Sequence, residues 1–413
     1  MSLPPDAPPH PKAKLFDRTT PPHVLTLVLI AGIGPMAMNV FLPSLPGIAA
    51  HFEADYALVQ VSVSGYLLVT GLLQLLIGPL SDRYGRRPVL IGSFLVFMAA
   101  TVGALLAPTI EVFLACRMAQ AAVASGIALS RAIVRDIAPP EKTASMIGYV
   151  TMGMALVPMV SPMLGGILEG VGGWRWSFGA LLPMGLAVFA LMWMDLGETN
   201  RNKSASLTAQ IRAYPDLLAS RRFWGYALVS AFASGAFFAF LGGAPYVATM
   251  VLGLSPEAMG AWFGAIAAGY ILGNYIAARW SERWGIGAMM TLGAGAAVIA
   301  TLTCSVLFWS GGGHPLVLFG PCFFVGMGNG MTLPNANAGM LNARPKLAGS
   351  ASGLGGAVMI GGGSGMSALA GFLLGEGSGG LPLALVMLAS SVLALGVARW
   401  VWMVEREVAA EAA

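Results

Sequence analysis

Charge is what this chain of 413 residues has least of: Asp, Glu, Lys and Arg together make up 10% of it, where a water-soluble domain carries roughly 25%. So few charges cannot coat a water-facing surface of this size, which excludes an ordinary soluble globular protein. Histidine is scarcer still. The four residues, His10, His23, His51 and His314, all fall in tails or loops. With no nucleophile–base set, no carboxylate pair and no cluster of metal-ligating types inside the apolar stretches, the chain is expected to be no enzyme and to need no metal or cofactor. No phosphate-cradling Walker stretch occurs either, so ATP is not expected to drive it. The three cysteines, Cys116, Cys304 and Cys322, sit inside apolar stretches without metal spacing and read as free packing thiols.

What is abundant is apolar surface. The chain is 57% hydrophobic with 55 glycines, and its mean hydropathy is +0.76. Glycine at this level suits close helix packing in lipid, and a membrane span needs about 20 apolar residues. Spans are predicted near 24–46, 57–80, 88–107, 111–133, 145–168 and 176–196, then near 223–246, 257–280, 287–309, 315–341, 348–374 and 381–403. The tenth is interrupted by Pro334, Asn335 and Asn337. This predicts an all-α membrane protein of twelve spans: a disordered tail over 1–22, a six-helix bundle over 23–196, a central loop over 197–222, a second bundle over 223–403 and a tail over 404–413. Part of the central loop, 207–219, is expected to lie as an amphipathic helix on the membrane surface. Residues 1–22 are polar and Pro-rich and do not read as a cleaved signal.

The net charge of +4 and pI near 9.0 do not indicate a nucleic-acid partner, because the cations lie in short loops and not on one patch. Their placement sets orientation. The N-terminal tail, the 2–3 loop (Arg83, Arg86, Arg87), the 4–5 loop (Arg135, Lys142), the central loop, the 8–9 and 10–11 loops (Arg279, Arg283, Arg344, Lys346) and the C-terminal end (Arg399, Arg406) hold the cations. The opposite set of loops holds only Arg175. The positive-inside rule then places both termini in the cytoplasm.

The chain also repeats itself. GPLSDRYGRRPVL at 78–90 and ARWSERWGIGAMM at 278–290 align at an offset of 200, pairing Ser81, Asp82, Arg83 and Gly85 with Ser281, Glu282, Arg283 and Gly285. A weaker echo joins Ala144, Ser145 and Gly148 to Ala351, Ser352 and Gly355. Parallel halves of this kind suit rocking about a site at the membrane midplane.

These residues carry a family resemblance. GPLSDRYGRRPVL resembles the 2–3 loop motif of the major facilitator superfamily. CRMAQA (116–121) resembles the fourth-helix motif of its proton-driven members, with Ala121 in place of the usual Gly, and GMALVPMVSPMLGG (153–166) the fifth-helix motif of antiporters. NVFLPSLP (39–46), RAIVRDI (131–137), FAFLGGAPYV (238–247) and GNGMTLPNANAG (328–339) resemble the bicyclomycin/chloramphenicol-resistance branch. The resemblance implies a multi-pass protein of the bacterial inner membrane, working as a monomer and exporting a small-molecule drug in exchange for protons.

Individual residues acquire expected roles. Gly78 should let backbones approach, Gly85 should permit a tight turn, and Asp82 with Arg83, Arg86 and Arg87 should form a breakable cytoplasmic gate, mirrored by Glu282 and Arg283. The plainer reading is a topogenic loop with an ordinary ion pair. Arg117, about six residues into the fourth span, is expected to face a central cavity with Gln120 one turn along, unless it is a structural arginine tied to carbonyls or reaching to the outer face. Arg131, Arg135 and Asp136 lie near the cytoplasmic end of that helix. The carboxylates, Glu53, Asp55, Glu111, Glu169 and Asp195 among them, cluster at span ends or in loops, and Asp136 is the candidate proton carrier because it alone lies within a turn or two of intramembrane arginines. Asn39 stands where relatives of that branch commonly show Asp and cannot carry a proton.

A cavity without an acid predicts neutral or amphipathic substrates. Phe237, Phe238, Phe240 and Tyr246 could form its adaptable wall, or simply pack. Asn335 and Asn337 are expected to face it, with hydrogen-bonding between helices as the alternative. Gly153, Pro158, Pro162, Gly165 and Gly166 should bend the fifth span and let it pack on the eleventh, at GGGSG (361–365), as a leak-tight seam; the plainer reading is generic kinking. An importer or exporter of a metabolite, and less readily a passive channel, remain alternatives.

Overall fold

A computed structural model describes residues 13–138, 140–200, 215–344, 348–375 and 377–412. Residues 1–12, 201–214, Lys346 and Ala413 lie outside the described set, and with them most of the surface helix expected over 207–219. The surroundings of Lys142, Ala144, Ser145, Gly148, Gly153 and Ser352 lie outside it as well.

The described residues form twelve long helical segments and no strand: α1 Val24–His51, α2 Tyr56–Tyr84, α3 Arg86–Leu105, α4 Ile110–Ile137, α5 Pro140–Gly172 and α6 Trp174–Asp195, then α7 Arg221–Val251, α8 Pro256–Trp284, α9 Ile286–Trp309, α10 Leu316–Ala343, α11 Ala348–Leu373 and α12 Leu381–Ala412. Eleven of them meet the length and apolar composition needed to cross a membrane. The other, α5, is a helix of 33 residues. Helices are the expected solution, because in lipid every backbone N–H and C=O must be satisfied within the segment. Large exposed side chains such as Leu106, Ile299, Trp309 and Phe372 ring the outside, an arrangement that water would penalise and lipid does not.

Three segments are broken where the sequence weakens the ladder. α1 passes through a 3-10 turn at Leu42–Ser44, beside Pro43 and Pro46. α4 tightens to a 3-10 turn at Ala121–Ala124. α7 ends in a π-turn at Val247–Val251, just after Pro245. α10, in contrast, runs unbroken through Pro334.

The expected boundaries shift in three places. Residues 13–22 are not a loose tail: Asp195 at the end of α6 accepts hydrogen bonds from the Phe16 and His23 backbone N–H groups (3.0 and 2.9 Å) and from the Thr26 hydroxyl (2.5 Å). The central loop ends before 222, since Arg221 and Arg222 open α7. The C-terminal tail is helical to Ala412, and its Glu405 is clasped by Arg222 through two bonds of 2.8 and 2.9 Å and by the Tyr226 hydroxyl at 2.8 Å.

α1 to α6 pack on one another, as do α7 to α12, and the two main seams between the halves run between α2 and α11 and between α5 and α8. A repeat of six helices carries α2 onto α8 and α11 onto α5, so the two seams are equivalents of one another.

Candidate functional site

Arg117 is the largest fully buried side chain of the protein. It sits in the last turn of the first half of α4, next to the break at Ala121. One Nη donates to Gln120 Oε1 (2.6 Å) and to the Ala37 carbonyl (3.3 Å), and the other donates to the Ser62 carbonyl (3.4 Å). Its guanidinium lies 4.1 Å from the centre of the Phe41 ring, 4.6 Å from Tyr66 and 5.6 Å from Phe178. Gln120 passes the chain on, donating to the Thr101 hydroxyl (2.7 Å), which donates to the Phe97 carbonyl (2.7 Å).

Among the described residues no carboxylate pairs with Arg117, and its Nε has no partner. Ring faces and carbonyls thus stand in for an anion; cation–π contacts in a dry site contribute about 2 kcal/mol. This enclosure inside the first half differs from the expected exposure to a central cavity. The residues that make the box, Phe41, Tyr66 and Phe178, come from three helices, and sequence spacing carries no signal that they meet.

On the face that bears the basic loops, Arg86 is the hub. It pairs with Asp82 one turn back, donates to the Ser81 hydroxyl, and reaches Asp136 Oδ2 on α4 at 3.1 Å. Asp136 also accepts from the Thr199 hydroxyl at 3.2 Å. The candidate proton carrier is therefore tied to the 2–3 loop and not to Arg117 or Arg131, because α4 ends beside α3 at this face.

Sequence reasoning missed Glu198, whose carboxylate accepts from the Arg86 and Arg87 backbone N–H groups at 3.0 and 3.3 Å and so caps α3. Asn200 beside it donates to the Asp82 carbonyl at 2.9 Å. Gly85 has φ +106° and Gly285 φ +82°, both in the region that favours glycine. Each donates its N–H to the serine four residues back, Ser81 (3.0 Å) and Ser281 (2.9 Å). The repeat is thus one turn geometry used twice.

Two expectations at this face change. A Cβ at Gly78 would meet nothing within 4 Å, so no backbone approaches there. Arg83 is exposed and stacks on its neighbour Tyr84 (5.3 Å), while Glu282 and Arg283 are exposed and form none of the ion pairs of the described residues. Among the described residues, the polar hub therefore belongs to the first half. Arg87 instead lies 4.8 Å over Trp193, which Arg18 also approaches at 5.4 Å.

At the opposite face the two halves are fastened. Tyr56 donates to the Gly242 carbonyl (2.9 Å), Gln60 donates to the Ser367 carbonyl (3.0 Å) and hydroxyl (2.9 Å), and Ser364 donates to the Ser64 carbonyl (2.7 Å). Tyr246, expected in a cavity wall, lies here: its ring centre is 4.9 Å from that of Tyr56, and its hydroxyl donates to the Gly375 carbonyl at 2.6 Å.

The fifth-helix glycines do pack closely, but not on α11. A Cβ at Gly166 would lie 2.5 Å from the Pro256 carbonyl of α8, and one at Gly260 of α8 would lie 2.7 Å from the Pro162 carbonyl. A Cβ at Gly165 would run into the Val40 carbonyl of α1. Pro158 is half-buried on the same helix. The 361–365 stretch meets α7 and α2 instead, through Gly362 on Ala231, Gly363 on Phe238 and Ser364 on Ser64. The pairing of equivalent helices dictates this exchange of partners.

The remaining expected residues do not converge on one cavity. Asn39 is buried, donates to the Pro35 carbonyl at 2.7 Å and leaves Oδ1 without a partner. Arg131 is half-buried on the face of α4 that also carries Ile127 and Ala128. Phe237 and Phe238 are half-buried with ring centres 5.7 Å apart, and Phe240 is packed against Phe263 at 4.9 Å. Asn335 is buried and bonds back to the Met331 carbonyl at 2.8 Å, whereas Asn337 is exposed. Two residues apart on a helix they point to opposite sides.

Comparison with known proteins places these features. An uncharacterized MFS-type transporter of Bacillus subtilis is 33% identical over 259 residues, 61% of this chain and 64% of that protein, so the chain spans just under two thirds of its length. A chloramphenicol resistance protein of Pseudomonas aeruginosa is 31% identical over 324 residues, 78% of this chain and 76% of that one. The xylose transporter of Escherichia coli, in a partially occluded inward-open form, superposes with a TM-score of 0.72 at 14% identity, over 92% of this chain and 97% of its own, a likeness of fold. The family model for the Major Facilitator Superfamily matches residues 27–368, and with twelve helical segments, two equivalent seams and a duplicated glycine turn, the chain belongs to that superfamily.

Proposed function

We propose that this protein is a multi-pass transporter of the bacterial inner membrane that exports small neutral or amphipathic antibiotics, of the chloramphenicol and bicyclomycin kind, in exchange for protons. It performs no covalent chemistry and works as a monomer by alternating access. The face with the basic loops is cytoplasmic, and the face fastened through Gln60 and Tyr56 is periplasmic.

The observation that carries the substrate class is the distribution of charge. Among the described residues, every Asp and Glu falls in a loop, in a tail or toward the end of a helical segment, whereas the one fully buried cation, Arg117, lies inside the bundle. A permanent cation would lose its hydration with no anion to replace it, while a neutral molecule loses little. The similarity to a chloramphenicol resistance protein supports the direction and the class.

Alternating access follows from the seams. Both are lined by small residues, and the one at α2 is closed by neutral hydrogen bonds, each contributing about 1 kcal/mol, which thermal motion can break and remake.

The test is expression in a host stripped of its main efflux system, with drug uptake measured in inverted vesicles. Acidifying the vesicle lumen should drive chloramphenicol inward, and tolerance should rise several-fold. Good expression with unchanged tolerance across a panel of neutral drugs would sink the reading, and accumulation of a metabolite by right-side-out vesicles would favour import.

A further inference from the structure

At the periplasmic end of the α5–α8 seam the structure assembles a group of ionisable residues that the sequence leaves scattered. Glu169, in the last turn of α5, has an Oε2 that is fully buried and has no hydrogen-bond partner. Its Oε1 lies against α1, where a Cβ at Gly47 would come within 2.7 Å of it. Across the seam, the Glu257 side chain from the first turn of α8 lies on Gly170, the residue next to Glu169. The exposed Glu257 carboxylate from one half therefore stands near the Glu169 carboxylate of the other, where the halves close.

A cavity of about 440 Å³ opens beside them, lined by Glu169, His51, Trp174 and Arg175. Its basic side chains are engaged with each other and with a ring: Arg175 Nη2 is 3.1 Å from His51 Nε2, and its guanidinium lies 4.6 Å over Trp174. Among the described residues neither forms an ion pair with Glu169. The Ser44 hydroxyl on α1 donates to the Glu169 carboxylate and leaves Oε2 without a donor; it lies 3.2 Å from the Ser177 hydroxyl.

Like charges repel at this junction, and a carboxylate oxygen held out of water without a donor is unfavourable. One proton on Glu169 Oε2 relieves both. Resting on the orientation and the alternating access of the preceding section, we propose that Glu169 is the residue through which periplasmic protons act: closing the α5–α8 seam takes one proton from the cavity onto Glu169, and opening the seam returns it. The closed state holds the extra proton, so acid favours closure and alkali favours opening. A single linked proton changes that balance by as much as tenfold per pH unit. In exchange transport this makes the periplasmic proton the agent that re-closes an emptied carrier.

The experiment is a distance measurement by pulsed electron paramagnetic resonance on the full chain in nanodiscs, between spin labels at Val171→Cys and Met250→Cys. Both sites are exposed, at the outer ends of α5 and α7, and the native cysteines are replaced. The wild-type background should lengthen its distance between pH 5.5 and pH 8. Glu169→Gln, a neutral mimic, should stay short at both, and His51→Gln should respond like wild type. Glu257→Gln, which removes the repelling charge, should move the transition about half a unit or more toward acid and provides the test if the first variant folds poorly. A pH response unchanged by Glu169→Gln, or lost with His51→Gln, overturns the proposal, as does a pH-independent wild type. Chloramphenicol counterflow at equal pH, run in parallel, reports on the transport reading: its absence beside an intact pH response condemns the substrate assignment and leaves Glu169 standing.

Discussion

Gln60 of α2 donates its carboxamide N–H to the Ser367 carbonyl of α11 at 3.0 Å, joining the two halves of the protein through a side chain that is 1% exposed. The bond sits one turn inside Tyr56, which donates across to α7. Neither bond involves a charge, and Gln60 keeps one oxygen without a partner, so this latch holds without being permanent.

Loosening the latch should populate the periplasm-open state. Tyr56→Phe removes one inter-half hydrogen bond of about 1 kcal/mol, a shift of roughly fivefold in the open population. A single cysteine at Ser64, where the side chain makes no bond between the halves, should react several times faster with an impermeant maleimide applied from outside. Gln60→Ala should exceed Tyr56→Phe, because it removes both contacts to Ser367. Equal labelling rates in all three backgrounds would count against the latch.

Arg117 should tolerate no ordinary replacement. Lysine keeps the charge but not the planar fork that serves Gln120, Ala37 and Ser62 together while lying flat between Phe41 and Tyr66. Arg117→Lys and Arg117→Ala should both cut drug transport to below about a tenth, a loss of more than about 1.4 kcal/mol, while membrane insertion persists. Thermal unfolding in detergent should also begin several degrees lower, since carbonyls and rings arranged for a cation lose it. Wild-type transport by the lysine variant would show that only charge matters.

The fifth helix offers a steric test with its own control. Gly165→Val would drive a side chain into the Val40 carbonyl, and backbone cannot yield as a flexible side chain can. Overpacking of this kind destabilises by about 1–3 kcal/mol or more. A Cβ at Gly361 meets nothing within 4 Å, so Gly361→Ala should leave folded yield and melting temperature within error. Size-exclusion profiles of the two variants decide the matter, and matching losses would refute the close α1–α5 approach.

Asp195 fastens the N-terminal arm. Asp195→Ala removes the acceptor for Phe16, His23 and Thr26, bonds to a charged group that contribute roughly 1.5–3 kcal/mol each at most. Trypsin should then cut at Arg18 about tenfold faster or more, while the Arg222–Glu405 pair at the other end of the chain keeps α12 resistant. Unchanged cleavage would mean that the arm is held by Trp193 and not by Asp195.

Much of this architecture was legible without coordinates. Each expected span overlaps one helical segment, because a run of about 20 apolar residues has no other stable form in lipid. The repeat was legible because a positive-φ turn demands glycine, and Gly85 and Gly285 both supply it. Helix ends were less so: Arg222 and Glu405 look like loop and tail residues until they are seen bonded to each other across 183 positions. The site was least legible. Asp136 neighbours Arg131 and Arg135 in sequence, yet its partner is Arg86, 50 positions away. Asn335 and Asn337 look alike in sequence, although a helix turns them apart.

What the sequence by itself determined is periodic or compositional: the apolar runs, the basic loops, the duplicated turn, and the absence of any acid deep inside a span. These depend on each residue's own chemistry and its near neighbours. Only the tertiary structure decided which helix faces which. It set α5 against α8 and not α11, closed Phe41 and Tyr66 over Arg117, laid Glu198 on the start of α3, and brought Glu257 onto Gly170 beside Glu169. Those pairings depend on how two bundles of near-uniform apolar helices interlock at their glycines. Lipid rewards every apolar face alike, so hydropathy cannot choose among them, and the choice falls to close packing and a few buried polar bonds.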